Sequence, residues 1–366
     1  MKKSSIIKFS IITFLIFIFL DFFIGSYIYK KFIRSTFIDV DFSFSAKDDM
    51  YDHKLKKSYK GLVGWGNGRY NLCTDFNGFR NSCKNINDKT KYFDIAFIGD
   101  SFTEAVGIDY ENSFVGIISS NLKNKKIANL AVSSYSPTIY YSKINSLLLN
   151  GYSFKEIIVF IDLSDFVDDT VCYKLENNIT VRRNTYKNCL TGSIKPNKIK
   201  KFFEKKLRLS FEFYNQVKLR LIKYKIIDYK VPNEQLDTRR SKWTYNYIKE
   251  NYNNYSYNEA KSIIVGNMNK LSNLLKKNNI DLSIAVYPWP GTLKNDVANN
   301  KQVEIWKAFC SDNCINFYNF MNPFFYMLED EKFSTIYQKV YIKNDHHFNE
   351  EGNKIIAESF LKLYKN

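Results

Sequence analysis

A serine that follows a short apolar run is the first candidate for chemistry in this chain. The run at 93–98 is apolar and β-rich apart from one aspartate, it stops at Gly99, and Ser101 follows two positions later, where a helix could begin. This order places a hydroxyl at the carboxyl edge of a sheet, where open α/β folds hold their sites. A serine is a weak nucleophile by itself, so it needs a base and a third group that orients the base.

The histidines limit the choice of base, because the chain has only three. His53 lies in a polar stretch near the N-terminal apolar run, whereas His346 and His347 lie in a block just before the last predicted helix. That block, 345–352, reads Asp-x-His-Phe-Asn-x-x-Gly. Gly-Asp-Ser alone is common by chance. The two motifs in this order predict a serine–histidine site rather than an ordinary turn and a helix cap.

These motifs resemble those of the SGNH (GDSL-type) hydrolase family, over roughly residues 91–366 with a long interruption in the middle. The resemblance implies an α/β fold, a three-layer α/β/α, flavodoxin-like domain with a parallel sheet. It also implies that Ser101 is the nucleophile and that His347, five residues before Gly352, is the general base.

The acid departs from the commonest family spacing, which would place it at Asn344. Asp345 lies two residues before His347 and resembles the Asp-x-His arrangement of the membrane-linked polysaccharide acetylesterase and acetyltransferase branch. We therefore expect Asp345 to orient the imidazole.

The resemblance also implies three donors for an oxyanion hole, each worth about 2.7–4 kcal/mol in measured cases. One is the backbone N–H of Ser101. The family glycine after the second core strand reads as Ser134, whose backbone donor survives if the backbone conformation does. The family asparagine after the third strand reads as Ser164, whose hydroxyl has a shorter reach, so Ser164 is either a donor or a structural residue.

Other polar and aromatic residues near the predicted strand ends carry weaker signals. Trp289 follows a predicted strand, and it either stacks on a sugar ring of the substrate or packs beneath a turn. Asp165, Asp168 and Asp169 are interpreted as solvated loop acids rather than as a metal site. The cysteine spacings lack the Cys-x-x-Cys pairs of a zinc site. We expect neither a metal nor a cofactor.

The elements that must position these residues alternate along the chain, which predicts a parallel sheet covered on both faces. The predicted strands lie at 94–98, 126–132, 156–161, 281–287 and 315–319. The predicted helices lie at 137–149, 257–277, 300–310 and 350–364.

Domain boundaries follow from the same reading. We expect a membrane anchor at 1–35, a polar connector at 36–90 and the hydrolase-like domain at 91–366. Residues 170–255 interrupt the alternation and are basic and rich in Tyr and Phe. They are interpreted as an insertion or cap over the site.

The apolar run at 9–29 is long enough to cross a bilayer, because about 20 residues at 1.5 Å each span the roughly 30 Å hydrocarbon core. Lysines before the run favour a cytoplasmic N-terminus, although basic residues also follow it. A cleaved signal peptide is the alternative, but the run is long and lacks a small-x-small cleavage site. We expect an uncleaved single-pass anchor, with the catalytic domain outside the cytoplasm, in the periplasm or at the cell surface.

All six cysteines follow this run, and an even number in an exported domain favours disulfides. Free buried thiols are the alternative. Local pairing is the preferred connectivity, because each neighbouring pair closes a short loop: Cys73–Cys83, Cys172–Cys189 and Cys310–Cys314.

The net charge of +17 could attract nucleic acid, anionic lipid or anionic glycans. No nucleic-acid motif accompanies the charge, so no nucleic-acid partner is expected. An anionic envelope surface and a diffuse compositional bias without a specific partner both remain.

The leading prediction is a membrane-anchored serine esterase that removes O-acyl groups, most readily O-acetyl, from a cell-envelope carbohydrate. The alternatives are an O-acetyltransferase that uses the same acyl-enzyme, a lipase-like acylhydrolase and a non-catalytic glycan-binding protein. The expected partners are the O-acylated carbohydrate and the membrane, with an acyl-donating membrane protein under the transferase alternative.

Overall fold

A computed structural model of the chain describes residues 3–29, 31, 43–65, 68–186, 189, 202–203, 205–224, 226, 240–245 and 255–364. Two compact units result: one of Met1–Asp39 and Ser193–Lys230, the other of Val40–Gly192 and Val231–Asn366. Parts of the predicted connector (36–42 and 66–67) and much of the predicted insertion (187–188, 190–201, 204, 225, 227–239 and 246–254) lie outside the described residues.

The strands are, in chain order, β1 Ser45–Asp48, β2 Asp52–Leu55, β3 Lys60–Trp65, β4 Gly68–Cys73, β5 Tyr92–Ile98, β6 Ile127–Asn129, β7 Ser153–Phe160, β8 Tyr173–Glu176, β9 Ile179–Arg182, β10 Asp281–Val286 and β11 Asn316–Asn319. The α-helices are α1 Lys3–Leu20, α2 Ser26–Ile28, α3 Ser101–Glu104, α4 Phe114–Asn121, α5 Pro137–Leu149, α6 Asp165–Val167, α7 Arg208–Lys223, α8 Tyr257–Lys277, α9 Pro290–Asn295, α10 Lys301–Asn313, α11 Met321–Asp330, α12 Phe333–Val340 and α13 Glu350–Tyr364. Single π-helical turns occur at Asp21–Gly25 and Asp168–Cys172, and 3₁₀ turns at Tyr110–Asn112 and Lys242–Thr244.

A five-stranded parallel sheet forms the centre of the larger unit, in the order β11-β10-β7-β5-β6. Its middle strands β5, β7 and β10 are rich in Ile, Val, Phe and Ala, and their second halves are buried. Such continuous apolar runs are typical of parallel strands covered on both faces. Helices α5 and α8 pack together beside the sheet, as do α4 and α13. The predicted α/β fold with a parallel sheet is confirmed.

Helix α8 shows how the sequence specifies these covering elements. Ser256 and Glu259 form a reciprocal capping box at its start. Its buried face carries Ile264, Met268 and Leu271 at helical spacing. The observed bounds coincide with the predicted helix at 257–277.

The chain before β5 forms two antiparallel hairpins, β1–β2 and β3–β4, within the segment that the sequence suggested was a connector. Val63, Tyr70 and Leu72 form a small buried cluster in the second hairpin. The buried Arg80 side chain donates to three backbone carbonyls, and its backbone N–H donates to the carbonyl of Asn129 at the end of β6. These hairpins therefore belong to the larger unit.

All three disulfides have the predicted local connectivity: Cys73–Cys83, Cys172–Cys189 and Cys310–Cys314.

The smaller unit contains the N-terminal helical segment. Among the described residues, Lys8–Ile28 is the one helical stretch that is long and apolar enough to cross a membrane, with a mean hydropathy of 2.3.

Candidate active site

The nucleophile candidate lies where β5 passes into α3. A Cβ on Gly99 would lie 2.9 Å from the carbonyl oxygen of Phe160, so only glycine fits between the two strands without a shift. The carboxylate of Asp100 then accepts a hydrogen bond from the backbone N–H of Phe102 and caps the helix. Ser101 is thereby fixed as the first helical residue, at the carboxyl end of the sheet.

Three of the predicted site residues are in direct contact. The Oγ of Ser101 lies 2.7 Å from Nε2 of His347, and Nδ1 of His347 lies 2.5 Å from Oδ1 of Asp345. The backbone N–H of His347 donates to the same carboxylate oxygen at 2.9 Å. The hydroxyl, imidazole and carboxylate therefore form one hydrogen-bonded chain, in the geometry that activates a serine.

The acid and the base share one short loop between α12 and α13. The backbone N–H of Ile342 donates to the carbonyl of His347 at 2.8 Å, which closes the loop at its base. The hydroxyl of Tyr337 accepts from the N–H of Asp345 at 2.9 Å and donates to its carbonyl at 2.7 Å. Asn344 has a φ of +60°, a left-handed conformation that asparagine tolerates well. Asn344 therefore shapes the turn, and its neighbour Asp345 contacts the histidine.

Trp65, at the end of β3, is a part of this site that the sequence did not predict. Its indole N–H donates to Oδ2 of Asp345 at 3.0 Å, and its ring meets the ring of His347 edge-on at 5.2 Å. Asp345 thus has a partner on each carboxylate oxygen. The sequence gives little signal for this role, because Trp65 lies within the segment that is expected to be a polar connector.

The charge of the Asp345 carboxylate is stabilised by its neighbours. Burial by itself would raise the pKa of Asp345, but the charge of His347 and its hydrogen bond, with a smaller contribution from His346, lower it well below its usual value. An ionised carboxylate is what the orienting group of a triad requires.

His346 packs against a tryptophan next to the site. Its ring stacks on the ring of Trp289 at 4.3 Å and 17°. Burial against this aromatic surface, together with the neighbouring His347, lowers the pKa of His346. His346 is therefore a packed neutral imidazole beside the triad.

Trp289 lies within the core next to the site. Its side chain is 2% exposed, and its indole N–H donates to Oδ2 of Asp162 at 2.7 Å. This placement matches the alternative in which Trp289 packs beneath a turn and supports His346. Contact with a substrate stays a prediction.

Ser134 has a left-handed backbone conformation, and its role as an oxyanion donor stays a prediction. Its φ of +66° lies in the left-handed region, which explains why the resembling family has glycine at this position. The preceding residue is held firmly: the N–H and Oγ of Ser133 both donate to Glu104, and its carbonyl lies 2.8 Å from Nε2 of His53. These contacts fix the loop that carries the Ser134 N–H.

Ser164 has partners other than the triad. Its N–H donates to Oδ1 of Asp162 at 2.7 Å, and its carbonyl accepts from the N–H groups of Val167 and Asp168. The side chain is 2% exposed. These contacts favour the structural alternative for Ser164, and a role as an oxyanion donor stays a prediction.

The acids after β7 are buried rather than solvated, which corrects the expectation from the sequence. Asp165 bonds to Tyr140, Asp168 pairs with Arg240 at 2.9 Å, and the carboxylate of Asp169 accepts three hydrogen bonds. The sequence could not distinguish them from loop acids, because their partners lie on α5, α8 and residue 240, far along the chain.

Within the part of the chain that the structure describes, one group of potential metal ligands lies close together: Asp345, His346 and His347. The carboxylate of Asp345 is bonded to His347 and Trp65, and Nε2 of His347 faces Ser101. The facing donor atoms of Asp345 and His347 are therefore already used in these hydrogen bonds.

Comparison with known proteins finds solved structures that resemble this chain, but no family model and no curated sequence that matches it. A member of the lipolytic protein G-D-S-L family from Veillonella parvula matches at 12% identity with a TM-score of 0.41, covering 75% of this chain and 98% of that one. The psychrotrophic esterase EstA from Pseudoalteromonas sp. matches at 10% identity with a TM-score of 0.37, and the match covers 75% of this chain and 97% of that one. Axe2, an acetylxylan esterase from Geobacillus stearothermophilus, matches at 10% identity with a TM-score of 0.39, and the match covers 74% of this chain and 93% of that one.

This chain is thus similar to proteins described as lipolytic G-D-S-L members and esterases. Identities and TM-scores this low carry no argument about activity or substrate, so the chemistry rests on the geometry of the site itself.

Proposed function

We propose that this protein is an SGNH-type serine ester hydrolase that is anchored in a membrane and removes O-acyl groups, most readily O-acetyl, from a cell-envelope carbohydrate. The observation that carries the proposal is the hydrogen-bonded chain from Ser101 through His347 to Asp345, at 2.7 and 2.5 Å. A hydroxyl that is hydrogen-bonded to an imidazole, which a carboxylate in turn orients, is suited to acyl transfer.

The first half of the proposed reaction forms an acyl-enzyme. The Oγ of Ser101 attacks the ester carbonyl carbon, and Nε2 of His347 takes the hydroxyl proton. The negative charge that develops on the carbonyl oxygen is stabilised by the backbone N–H groups of Ser101 and Ser134. Nε2 of His347 then gives its proton to the leaving sugar oxygen, and the C–O bond breaks.

The second half removes the acyl group from Ser101. His347 accepts a proton from a water molecule, the hydroxide attacks the acyl carbon, and the proton returns to the Oγ of Ser101 as the carboxylic acid leaves. With a sugar hydroxyl in place of water, the same site would transfer the acyl group. Asp345 stabilises the imidazolium in both halves.

The anchor and the disulfides support the proposed location. Lys8–Ile28 has the length and hydropathy of a membrane span, and the three disulfides suit an oxidising compartment. The carbohydrate substrate rests on the resemblance of the Asp-x-His arrangement.

Hydrolysis of p-nitrophenyl acetate by the full-length protein tests the reaction. Turnover is expected in the wild type, with a loss of about 10⁴-fold or more in Ser101→Ala. Ser120→Ala is the control, because that exposed hydroxyl bonds to the carbonyl of Ile117 within α4 and lies outside the proposed reaction. Equal rates in wild type and Ser101→Ala would contradict the proposal.

Acetate release from O-acetylated polysaccharides tests the substrate. Wild-type release without release by Ser101→Ala would support a carbohydrate esterase. Acyl groups appearing on an added sugar acceptor would identify a transferase instead.

Membrane fractionation tests the anchor. The full-length chain should stay with membranes after a high-salt wash, because salt screens surface charge within about 10 Å but does not release a hydrophobic span. Recovery of a soluble form that begins near residue 30 would indicate a cleaved signal peptide.

A further inference from the structure

The anchor carries one acid, and that acid is bonded to a distant part of the chain. Asp21 is 1% exposed, although it lies within the apolar span Lys8–Ile28. Its carboxylate accepts hydrogen bonds from the backbone N–H of Leu209 at 2.9 Å and from the N–H and Oγ of Ser210 at 2.7 and 2.6 Å. An ionisable group in a membrane span is costly unless it has a partner. Here the partner is the first turn of α7, where an acid is favoured.

Further contacts fix α7 beside the carboxyl-terminal end of the span. The hydroxyl of Ser26 donates to the carbonyl of Lys205 at 2.6 Å. The guanidinium of Arg208 lies 4.1 Å from the centre of the Tyr29 ring and donates to its hydroxyl at 2.8 Å. All of these residues belong to the smaller unit. Helix α7 therefore begins where the span ends.

The exposed face of α7 is apolar in its centre and basic at both edges. Phe213 and Tyr214 are 70% and 60% exposed, and Val217 is exposed one turn after Phe213. At 100° per residue, Arg220 and Lys218 lie on opposite sides of this apolar stripe. Aromatic residues in water are unfavourable, whereas cations beside an apolar stripe suit an interface between lipid tails and headgroups.

The positive charge of the chain around α7 favours a bilayer that contains anionic lipid. Residues 202–226 contain seven Lys or Arg and two Glu. Basic residues close to a bilayer are worth about 1 kcal/mol each against anionic lipid.

We infer that α7 lies in the plane of an anionic bilayer, in the headgroup region beside the end of the anchor, with Phe213, Tyr214 and Val217 among the acyl chains. The inference rests on the membrane anchor of the proposed function, and it adds a second lipid-binding element that the Asp21 contacts fix to the span.

Fluorescence quenching by brominated lipids tests this placement. Full-length Phe213→Trp is reconstituted into phosphatidylcholine vesicles with and without about 30% phosphatidylglycerol, and the signal of the four native tryptophans is subtracted using the parent protein. Gln216→Trp, on the same helix at the edge of the stripe, is the matched control. Quenching at 213 is expected to be about twofold stronger than at 216 in the anionic vesicles, and to fall in Lys218→Gln/Arg220→Gln.

Equal quenching at the two positions, or none at 213, would overturn the inference. The exposed apolar stripe of α7 would then be a candidate contact for another protein. Equal quenching at 213 in both lipids would overturn the requirement for anionic lipid. Flotation of the same vesicles reports on the anchor separately: a chain that does not float overturns both the anchor and this inference. Hydrolysis of p-nitrophenyl acetate, measured in parallel, reports only on the proposed reaction.

Discussion

The indole N–H of Trp65 donates to the carboxylate of Asp345 across 280 residues of sequence. The same ring packs edge-on against His347. A hairpin outside the parallel sheet thus contributes to the orientation of the acid and the base. The proposed active site therefore includes a residue before β5 as well as residues of the α/β domain.

Replacing Trp65 by Phe should lower kcat by about tenfold while leaving KM within about twofold, because the ring packing remains and one hydrogen bond to the charged carboxylate is lost. Steady-state hydrolysis of an aryl acetate by the purified variant measures both parameters.

Tyr59→Phe, immediately before β3, is the control and should leave kcat and KM unchanged. If Trp65→Phe lowers kcat only in proportion to the folded fraction, the tryptophan has a structural role alone.

The two adjacent histidines should differ in their importance. His347→Ala should lose activity by several orders of magnitude, because Ser101 then has no base, whereas Asp345→Asn should lose somewhat less. His346→Ala should keep activity within about tenfold, since its ring packs on Trp289 and not on Ser101. Rates for the purified variants, with folding checked by circular dichroism, measure this. Loss of turnover in His346→Ala with activity retained in His347→Ala would reverse the assignment.

Substitutions at Ser134 separate a backbone donor from a hydroxyl donor. Ser134→Gly should keep kcat/KM within about twofold, because glycine adopts the φ of +66° and retains the N–H. Ser134→Val should lower it, because a β-branched residue is strained at positive φ. A loss of about 100-fold in Ser134→Gly would show that the hydroxyl itself takes part in catalysis.

The buried Lys143 should make stability depend on pH. The residue is 2% exposed, its ammonium donates to the carbonyl of Leu130, and burial lowers its pKa from 10.5 to about 7. Between these values the unfolded chain binds more protons than the folded protein, so the free energy of unfolding should rise with pH across this interval.

Denaturant unfolding at pH 7.5 and 9.5, in wild type and Lys143→Met, measures this contribution. The free energy of unfolding of the wild type should rise by up to about 2 kcal/mol more than that of the variant over that pH range. If the free energy of unfolding changes equally with pH in both proteins, then the pKa of Lys143 is the same in the folded protein as in water.

The parallel sheet was predictable because each strand is a short apolar run that stops at turn residues. Strand β10 and helix α8 lie within one residue of their predicted bounds. Ser101, His347 and Asp345 were predictable because two local motifs carry them. Strand β6 is shorter than the predicted 126–132, because the chain after Asn129 turns into the loop that holds Ser134.

The rest of the site left no local signal. Trp65 acts through an acceptor near the other end of the chain, and no periodicity records such a pair. Asp168 looks like a loop acid until Arg240 is placed beside it. The left-handed φ of Asn344 explains in retrospect why an asparagine precedes the acid, but many residue types occur in turns.

The loop between α12 and α13 carries both Asp345 and His347, whereas Ser101 belongs to a different element. Any shift of that loop as a rigid body changes the distance from imidazole to hydroxyl and leaves the imidazole–carboxylate pair intact. In an inactive state reached in this way, His347 and Asp345 would remain hydrogen-bonded to each other, and only the contact with Ser101 would be lost. Such a state would return to activity by a translation alone, without forming the acid–base pair again.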